Sequence, residues 1–191
     1  RSCRCNWYRK DGICAKLWLV LCSIRSNHCR IQRVNIARIH ATDRIADDRI
    51  DIFNRLYLEL KPDIFTELFP VLLADNGSEF SNPSAIELDM QGNPRTKMFY
   101  CNASAPYQKG SCENNHEMIR RIIPKGEDIG QYTQEQIDLM MSHINSYARK
   151  KLGNKSPYEI FEFQYSKELL DVFHLQKIPA DEITLSPELL K

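Results

Sequence analysis

The stretch LLADNGSEF at residues 72–80 decides the fold, because it carries an aspartate out of a short apolar run and into a turn. The apolar run Val71–Ala74 predicts a brief buried strand. Asp75 follows at once, and Asn76-Gly77 is a turn signal. A carboxylate at the end of a strand is a candidate metal ligand, although an aspartate beside an Asn-Gly turn is also common for structural reasons alone.

A second carboxylate lies downstream, in the sequence GSCENN at residues 110–115. Helical spacing predicts a helix from about Ser111 to Ile123, so Glu113 falls in its first turn. There it is either a metal ligand or a glutamate that complements the helix dipole. Carboxylates that converge from separate elements suit a pair of metal ions about 4 Å apart, which clamp the attacking and leaving oxygens of a phosphodiester.

With these two carboxylates the chain resembles the catalytic core of DDE transposases and retroviral-type integrases, in particular the insertion-sequence-thirty family of bacterial transposases. The resemblance covers residues 50–163 and is carried by Asp75-Asn76-Gly77, Glu79-Phe80, Pro106-Tyr107, Gly110 and Glu113-Asn114. It implies an α/β fold of the RNase H-like type, a mixed sheet flanked by helices. It also implies Mg²⁺ or Mn²⁺ as the cofactor, with Asp75 and Glu113 as catalytic residues and metal ligands.

The activity that the resemblance implies is DNA strand cleavage and transfer in transposition and DNA integration. Transposon ends and target DNA are the expected partners, together with further transposase subunits in a homo-oligomer. The expected location is the bacterial cytoplasm, on the nucleoid when DNA is bound. No membrane is expected, because no apolar run approaches the roughly 20 residues that span a bilayer. The alternatives are an RNase H-like nuclease that does not join strands and a catalytically dead nucleic-acid-binding domain.

The resemblance implies a triad of catalytic carboxylates, with an aspartate ahead of Asp75 as its first member. No residue of this chain can be assigned to that first position. Asp11 has no apolar strand before it. The other early aspartates are typical of solvated or helix-starting positions: Asp43, Asp47 and Asp48. Because two carboxylates alone hold a metal ion poorly and orient the nucleophile worse, the chain is predicted to be inactive as a transposase in this form.

The first fifty residues differ in composition from the rest of the chain. They hold eleven Lys and Arg against four Asp, with five of the seven Cys and neither Glu nor Pro. One interpretation is a nucleic-acid-binding arm. A second is a zinc site, whose spacing matches no common finger, drawn from Cys3, Cys5, Cys14, Cys22, His28 and Cys29.

We favour a third interpretation of this segment, translation out of frame. One permissible back-translation of residues 1–10, read one nucleotide over, encodes an apolar strand that carries an aspartate. Enrichment in Arg and Cys without Glu or Pro is also what a shifted frame can produce. Residues 1–49 are therefore predicted to be an atypical segment that is out of frame or lacks a stable fold.

DNA binding needs basic side chains near the carboxylates, because the phosphates must be neutralised. The candidates are Lys109, Arg120, Arg121 and Lys125 around the Glu113 helix, and Arg149, Lys150, Lys151 and Lys155 at the end of the next helix. For residues 149–151 an alternative is that their charges complement the dipole at a helix C-terminus. Glu117, one turn after Glu113, is predicted to be an ordinary solvated helix residue.

The catalytic core is predicted to span residues 50–165, followed by a C-terminal tail at residues 166–191. Residues 81–96 are predicted to be a loop or a small insertion. Within it, residues 87–97 are the extra length relative to the family and need not disturb the site. A strand is predicted to begin at Lys97. Periodicity and capping signals predict further helices: from Ile50 to Leu60, a short one before Pro70, from Thr133 with Gln136 to about Leu152, and one opened by Ser156 with Glu159.

Overall fold

The computed structural model describes residues 16–20, 35–39, 47–74, 82–100, 117–127 and 131–191. The strands in this part of the chain form two separate pairs. The antiparallel pair is β1 (Lys16–Val20) with β2 (Asn35–Ile39), and the parallel pair is β3 (Val71–Ala74) with β4 (Lys97–Tyr100). The strands predicted to begin at Val71 and Lys97 are thus confirmed.

The described chain contains the helices α1 (Asp47–Leu60), α2 (Pro62–Leu68), α3 (Pro83–Glu87), α4 (described over residues 117–122), α5 (Gln134–Ser146), α6 (Pro157–Gln164) and α7 (Lys167–Val172). Two 3-10 turns lie at Lys150–Leu152 and Pro187–Leu190. Helices beside a parallel strand pair agree with the predicted α/β class. Within the described ranges, no helix is long and apolar enough to cross a membrane.

The first fifty residues contribute the β1–β2 pair, and α5 lies alongside β2. Helix α1 begins at Asp47, slightly before its predicted start at Ile50. The cysteines of the alternative zinc site, and Asp11 and Asp43, lie outside the described residues. Translation of this segment from another reading frame stays a prediction.

One hydrophobic core joins the helices to β4. In α1, Phe53, Leu56 and Leu60 recur at helical spacing and are almost fully buried, which explains why this segment is helical. The other elements that contribute fully buried apolar side chains are α2, α3, α4, α5, α6 and α7. Phe65 stacks edge-on against Tyr57 of α1 and packs beside Phe69, so aromatic contacts tie α1 to α2.

Both predicted capping boxes are confirmed. The Thr133 hydroxyl accepts a hydrogen bond from the Gln136 N–H, and the Thr133 N–H donates to the Gln136 side-chain oxygen. Ser156 and Glu159 form the same two hydrogen bonds. Each cap satisfies amide groups that the first helical turn leaves without a helical partner. The cap chemistry therefore fixes where α5 and α6 begin.

The predicted end of α5 at about Leu152 is wrong, because the helix stops at Ser146. Tyr147 has extended backbone angles, and the chain then reverses so that residue 149 pairs with residue 155. Gly153 and Asn154 both have positive φ, as a tight reversal requires. The helical periodicity of the sequence continues past Ser146, but the chain leaves the helix there and reverses at the Gly153-Asn154 turn.

The prediction of a loop at residues 81–96 is also wrong. Asn82 accepts a hydrogen bond from the Ala85 N–H and Pro83 occupies the first helical position, so this Asn-Pro pair starts helix α3. After α3, Asp89 accepts hydrogen bonds from two backbone amides of the following turn, and Leu88 pairs with Pro94 across it. A short helix and an ordered turn therefore replace the predicted loop.

A buried arginine holds this segment against α1. Arg95 is 1% exposed, yet its guanidinium donates hydrogen bonds to the carbonyl oxygens of Ala85 and Ile86 at 3.1 and 2.8 Å, and to Asn54 Oδ1 at 2.9 Å. It also lies over the rings of Tyr57 and Phe65. The two carbonyls belong to the last turn of α3, where no helical donor is available to them. Arg95 thus ends α3 and joins it to α1.

The residues after Arg95 set the register of the parallel strands. Thr96 Oγ1 donates to the Phe69 carbonyl at 2.6 Å, and Lys97 N–H donates to the Pro70 carbonyl. On the other side, the Met98 N–H donates to Glu87 Oε1 at 2.8 Å. These contacts hold the start of β4 beside the N-terminal end of β3, in the register that pairs residue 71 with residue 97.

The segment after α7 lies along α5, and hydrogen bonds from its backbone amides to side chains of α5 hold it there. The N–H of residue 176 donates to Ser142, that of residue 178 to Ser146, and that of residue 184 to His143. Gln136 Nε2 donates to the Leu190 carbonyl. Leu175 and Leu190 are buried in the common core. The predicted tail at residues 166–191 therefore includes segments that pack on α5.

The Arg95 network predicts a large loss of stability when its geometry is changed but its charge is kept. A single lysine nitrogen cannot take the three separate donor positions of the Arg95 guanidinium, so we expect Arg95→Lys to leave buried acceptors without a partner and to lower the free energy of unfolding by about 3 kcal/mol. Urea denaturation measures this, with Arg55→Lys on the exposed side of α1 as the matched control, expected to change it by less than about 0.5 kcal/mol. Equal effects of the two substitutions would contradict the role of Arg95.

The contact between His143 and Thr184 predicts a pH dependence of stability. His143 Nδ1 accepts the Thr184 N–H at 3.1 Å, and burial lowers the pKa of His143, although Glu182 opposes the shift. The unfolded chain therefore takes up the proton first. Neutral His143 contributes its full stabilisation of the folded state above the ordinary histidine pKa of 6.5. This contribution is lost as the pH falls through the lower pKa of His143 in the folded state.

We expect His143→Asn, whose Oδ1 can replace the Nδ1 acceptor without titrating, to flatten the fall in unfolding free energy between about pH 7 and pH 5. Urea denaturation at several pH values tests this. His174→Asn is the control, because His174 is exposed and its positive φ suits Asn. An unchanged pH profile in His143→Asn would show that another group carries the dependence.

Candidate functional site

The predicted catalytic residues Asp75 and Glu113, and the basic candidate Lys109, lie outside the described residues. The structure does describe the elements next to them in sequence. Strand β3 ends at Ala74, which pairs with Tyr100 of the parallel strand β4, so Asp75 directly follows the carboxyl end of an ordered strand. The described part of helix α4 starts at position 117, four residues after Glu113 in the sequence.

No three His, Cys, Asp or Glu side chains come together as a metal site within the described ranges. The predicted ligands outside those ranges are both carboxylates, and their hard oxygens are the donors that Mg²⁺ and Mn²⁺ prefer. The chemistry of this donor set therefore fits the implied metal ion.

Helix α4 has one buried and one exposed side. Ile119 and Ile122 are at most 3% exposed, whereas Arg120 and Arg121 are exposed to solvent. Glu117 is also exposed and pairs with Arg121 at 3.5 Å, one turn along the helix. The prediction that Glu117 is a solvated helix residue is confirmed, and this exposed pair contributes little to stability.

The remaining predicted basic residues are also on the surface. Lys125 is exposed just after Pro124, beyond the end of α4. Lys150 and Lys151 are exposed in the 3-10 turn that follows α5. Seven of the eight predicted DNA-binding residues are described by the structure, and all of these except the partly buried Arg149 are exposed.

Residues 149–155 form a compact element that we call the basic turn. Its first and last residues pair antiparallel, and the Lys155 N–H donates to the Leu152 carbonyl across Gly153-Asn154. Arg149 Nη2 donates to the Ile144 carbonyl in the last turn of α5 at 3.4 Å. The helix-dipole alternative proposed for residues 149–151 therefore applies to Arg149, whereas Lys150 and Lys151 lie beyond the helix end.

Lys155, which the sequence also proposed for DNA binding, closes the basic turn and is exposed. Sequence reasoning missed Tyr147, which is 41% exposed at the C-terminus of α5. The Gly-Asn pair that follows a basic run is the sequence signal that could have identified the turn.

Comparison with known proteins agrees with the resemblance drawn from the motifs. The transposase InsI of insertion sequence element IS30A from Escherichia coli (strain K12) is 34% identical over 97 residues, which is 51% of this chain and 24% of that protein. A probable transposase of the insertion-like sequence element IS1161 from Streptococcus salivarius is 29% identical over 128 residues, 65% of this chain and 34% of that protein.

A putative integrase, ORF3 of Spiroplasma virus SpV1-R8A2 B, is 31% identical over 90 residues, 47% of this chain and 27% of that protein. The similarity to insertion-sequence-thirty transposases and to an integrase is thereby confirmed. The chain spans about a quarter to a third of the length of these curated relatives. No protein-family model matches the chain, and no solved structure matches it.

The basic turn predicts that Gly153 is required by its backbone conformation alone. Gly153 has φ 67° and ψ 36°, and no atom lies within 4 Å of the position that a Cβ would take. Gly153→Ala is therefore expected to lower the free energy of unfolding by about 1–2 kcal/mol through backbone strain, without a clash. Chemical denaturation measures the loss. Asn154→Gly at φ 62° is the control and should change stability by less than about 0.5 kcal/mol.

Proposed function

We propose that the chain is the core of a transposase-type polynucleotidyl transferase, which cleaves and joins DNA strands in transposition and integration. The observation that carries this proposal is the similarity to several transposases and an integrase. The motifs of the resemblance add support, because an ordered parallel strand leads directly into Asp75. An RNase H-like arrangement of the complete core is part of the proposal.

In this proposal Asp75 and Glu113 hold Mg²⁺ or Mn²⁺. When bound, the metal supplies Lewis-acid stabilisation of the phosphodiester oxygens. The chain supplies the carboxylate of Asp75, which directly follows β3 in the sequence, and that of Glu113, four residues before the described part of α4. The register contacts of Thr96 and Lys97 support the first of these carboxylates, because they fix the strand pair from which it emerges.

DNA is the proposed partner, as transposon ends and target, and further copies of the transposase complete the assembly. The exposed side chains of Arg120, Arg121 and Lys125, with Lys109, Lys150 and Lys151, neutralise backbone phosphates. Their surface position in the described part of the chain supports this role. The proposed location is the bacterial cytoplasm, on the nucleoid when DNA is bound.

The proposal includes an impairment of this chain. Asp75 and Glu113 are two carboxylates, and no third is assigned within the 191 residues. A metal site with two protein carboxylates depends more on water and substrate oxygens for its remaining ligands. We therefore expect this chain by itself to bind Mg²⁺ weakly and to transfer DNA strands poorly.

A titration of Mg²⁺ or Mn²⁺ into the purified chain, followed by thermal unfolding, tests the metal site. Binding to the folded state raises stability by mass action, by about 2.7 kcal/mol at a hundredfold excess over the dissociation constant. We expect a small rise, at high metal concentration only, that Asp75→Asn abolishes. Asp63→Asn is the matched control, because Asp63 is an exposed carboxylate on α2, and it should retain the rise.

The same proteins, assayed for strand transfer on DNA, separate the parts of the proposal. A metal response that survives in Asp75→Asn would remove Asp75 from the site. Strand transfer that requires Asp75 would support the enzymatic function and contradict the impairment. DNA binding with no metal response in either protein would favour the catalytically dead nucleic-acid-binding domain.

A further inference from the structure

The basic turn at residues 149–155 is built as a rigid support for three lysines. Every backbone N–H from residue 152 to residue 155 donates a hydrogen bond within the turn, and the N–H of residue 149 donates to the carbonyl of residue 155. Arg149 joins the turn to the last turn of α5. Ser156, directly after the turn, is buried and caps α6. The turn is therefore fixed at both ends by neighbouring helices.

The positive charge of the turn has no acidic residue near it in the sequence. Residues 139–158 contain one Arg and three Lys but no Asp or Glu. Glu159, the first carboxylate after the turn, is occupied: it accepts the Ser156 N–H, which lowers its pKa, and it pairs with Lys177 at 3.4 Å. Within the described ranges, no ion pair joins a carboxylate to Lys150, Lys151 or Lys155.

We propose that the basic turn binds the phosphate backbone of nucleic acid through Lys150, Lys151 and Lys155. This inference rests on the proposed function for its choice of DNA as the ligand. It makes the turn a preformed unit that presents these three lysines together. It also assigns Arg149 to holding the turn on α5 rather than to DNA.

The chemistry of the turn selects an extended polyanion over a single phosphate group. A phosphate cradle needs free backbone N–H groups that converge on the anion. Here the amides of residues 152–155 are all used within the turn and cannot converge on an anion, so the flexible lysine ammonium groups supply the charge that a ligand meets. Lysines act as point charges, without the planar two-pronged geometry that arginine offers. Such contacts are strong only when several phosphates follow each other, and they carry no base specificity.

The surroundings of the turn favour nucleic acid over a lipid surface. A membrane-binding basic element places apolar side chains beside its charges, so that they enter the acyl region. The exposed large side chain beside the turn is Tyr147, whose ring can stack on a base or sugar. Leu152 within the turn is only partly exposed.

The test compares two triple variants of the full chain that remove the same charge. In one, Lys150, Lys151 and Lys155 are changed to Gln. In the matched control, Lys61, Lys167 and Lys191, which are exposed elsewhere, are changed to Gln. Binding of a short duplex DNA of arbitrary sequence is measured by fluorescence anisotropy over a range of KCl concentrations. Thermal unfolding checks that both variants are folded.

Each lysine that neutralises a phosphate contributes about 0.9 to the slope of log affinity against log salt concentration. We expect the turn variant to reduce this slope by about 2.7, equally for unrelated DNA sequences, while the control changes it little. Replacing the same three turn residues with Arg should preserve the slope, because the charges remain.

Three results would overturn the inference. An equal slope in the two triple variants, with DNA still bound, would remove the turn from the interface and leave the proposed function in place. Binding of anionic phospholipid vesicles, but not DNA, through the three lysines would assign the turn to a lipid surface. Failure of the unmodified chain to bind DNA would overturn both the turn and the proposed partner.

Discussion

The buried guanidinium of Arg95 is the constraint on which the parallel strand pair depends. Burial of this cation lowers its pKa, and its charge is tolerated because three hydrogen bonds and two aromatic faces replace water. The acceptors belong to α1 and α3, so one side chain fixes both helices. The next residues along the chain, Thr96 and Lys97, then attach β4 to the entrance of β3. The segment that connects the two strands is thus part of their support.

The parts of the fold that could be predicted from sequence depend on local chemistry. The capping boxes at Thr133 and Ser156 act over three residues, and the apolar spacing of α1 is visible in the sequence alone. Arg95 could not be predicted in this way, because its acceptor Asn54 is 41 residues away and arginine is usually a surface residue. The end of α5 was missed because Gly153-Asn154 reverses the chain inside a continuing helical pattern.

In the candidate site too, some features could be predicted from local sequence and others depend on the folded structure. Motif resemblance proposed Asp75 and Glu113, and the comparisons with transposases support the family from which these roles were taken. Charge alone identified Lys150 and Lys151, but only the folded turn separates them from Arg149, which serves the helix end. A run of like charges in a sequence therefore gives no indication of which members serve the protein's own backbone and which remain available to a ligand.

The hydrogen bond between Glu87 and Met98 has a consequence for colloidal behaviour. The Met98 amide projects to the side of β4 opposite β3, where a strand from another molecule could add to the sheet. Because the Glu87 carboxylate already occupies this donor, an incoming strand finds a negative charge where it would need a free N–H. Within the described strand pair, the Glu87 side chain thus blocks edge-to-edge pairing at this position of β4.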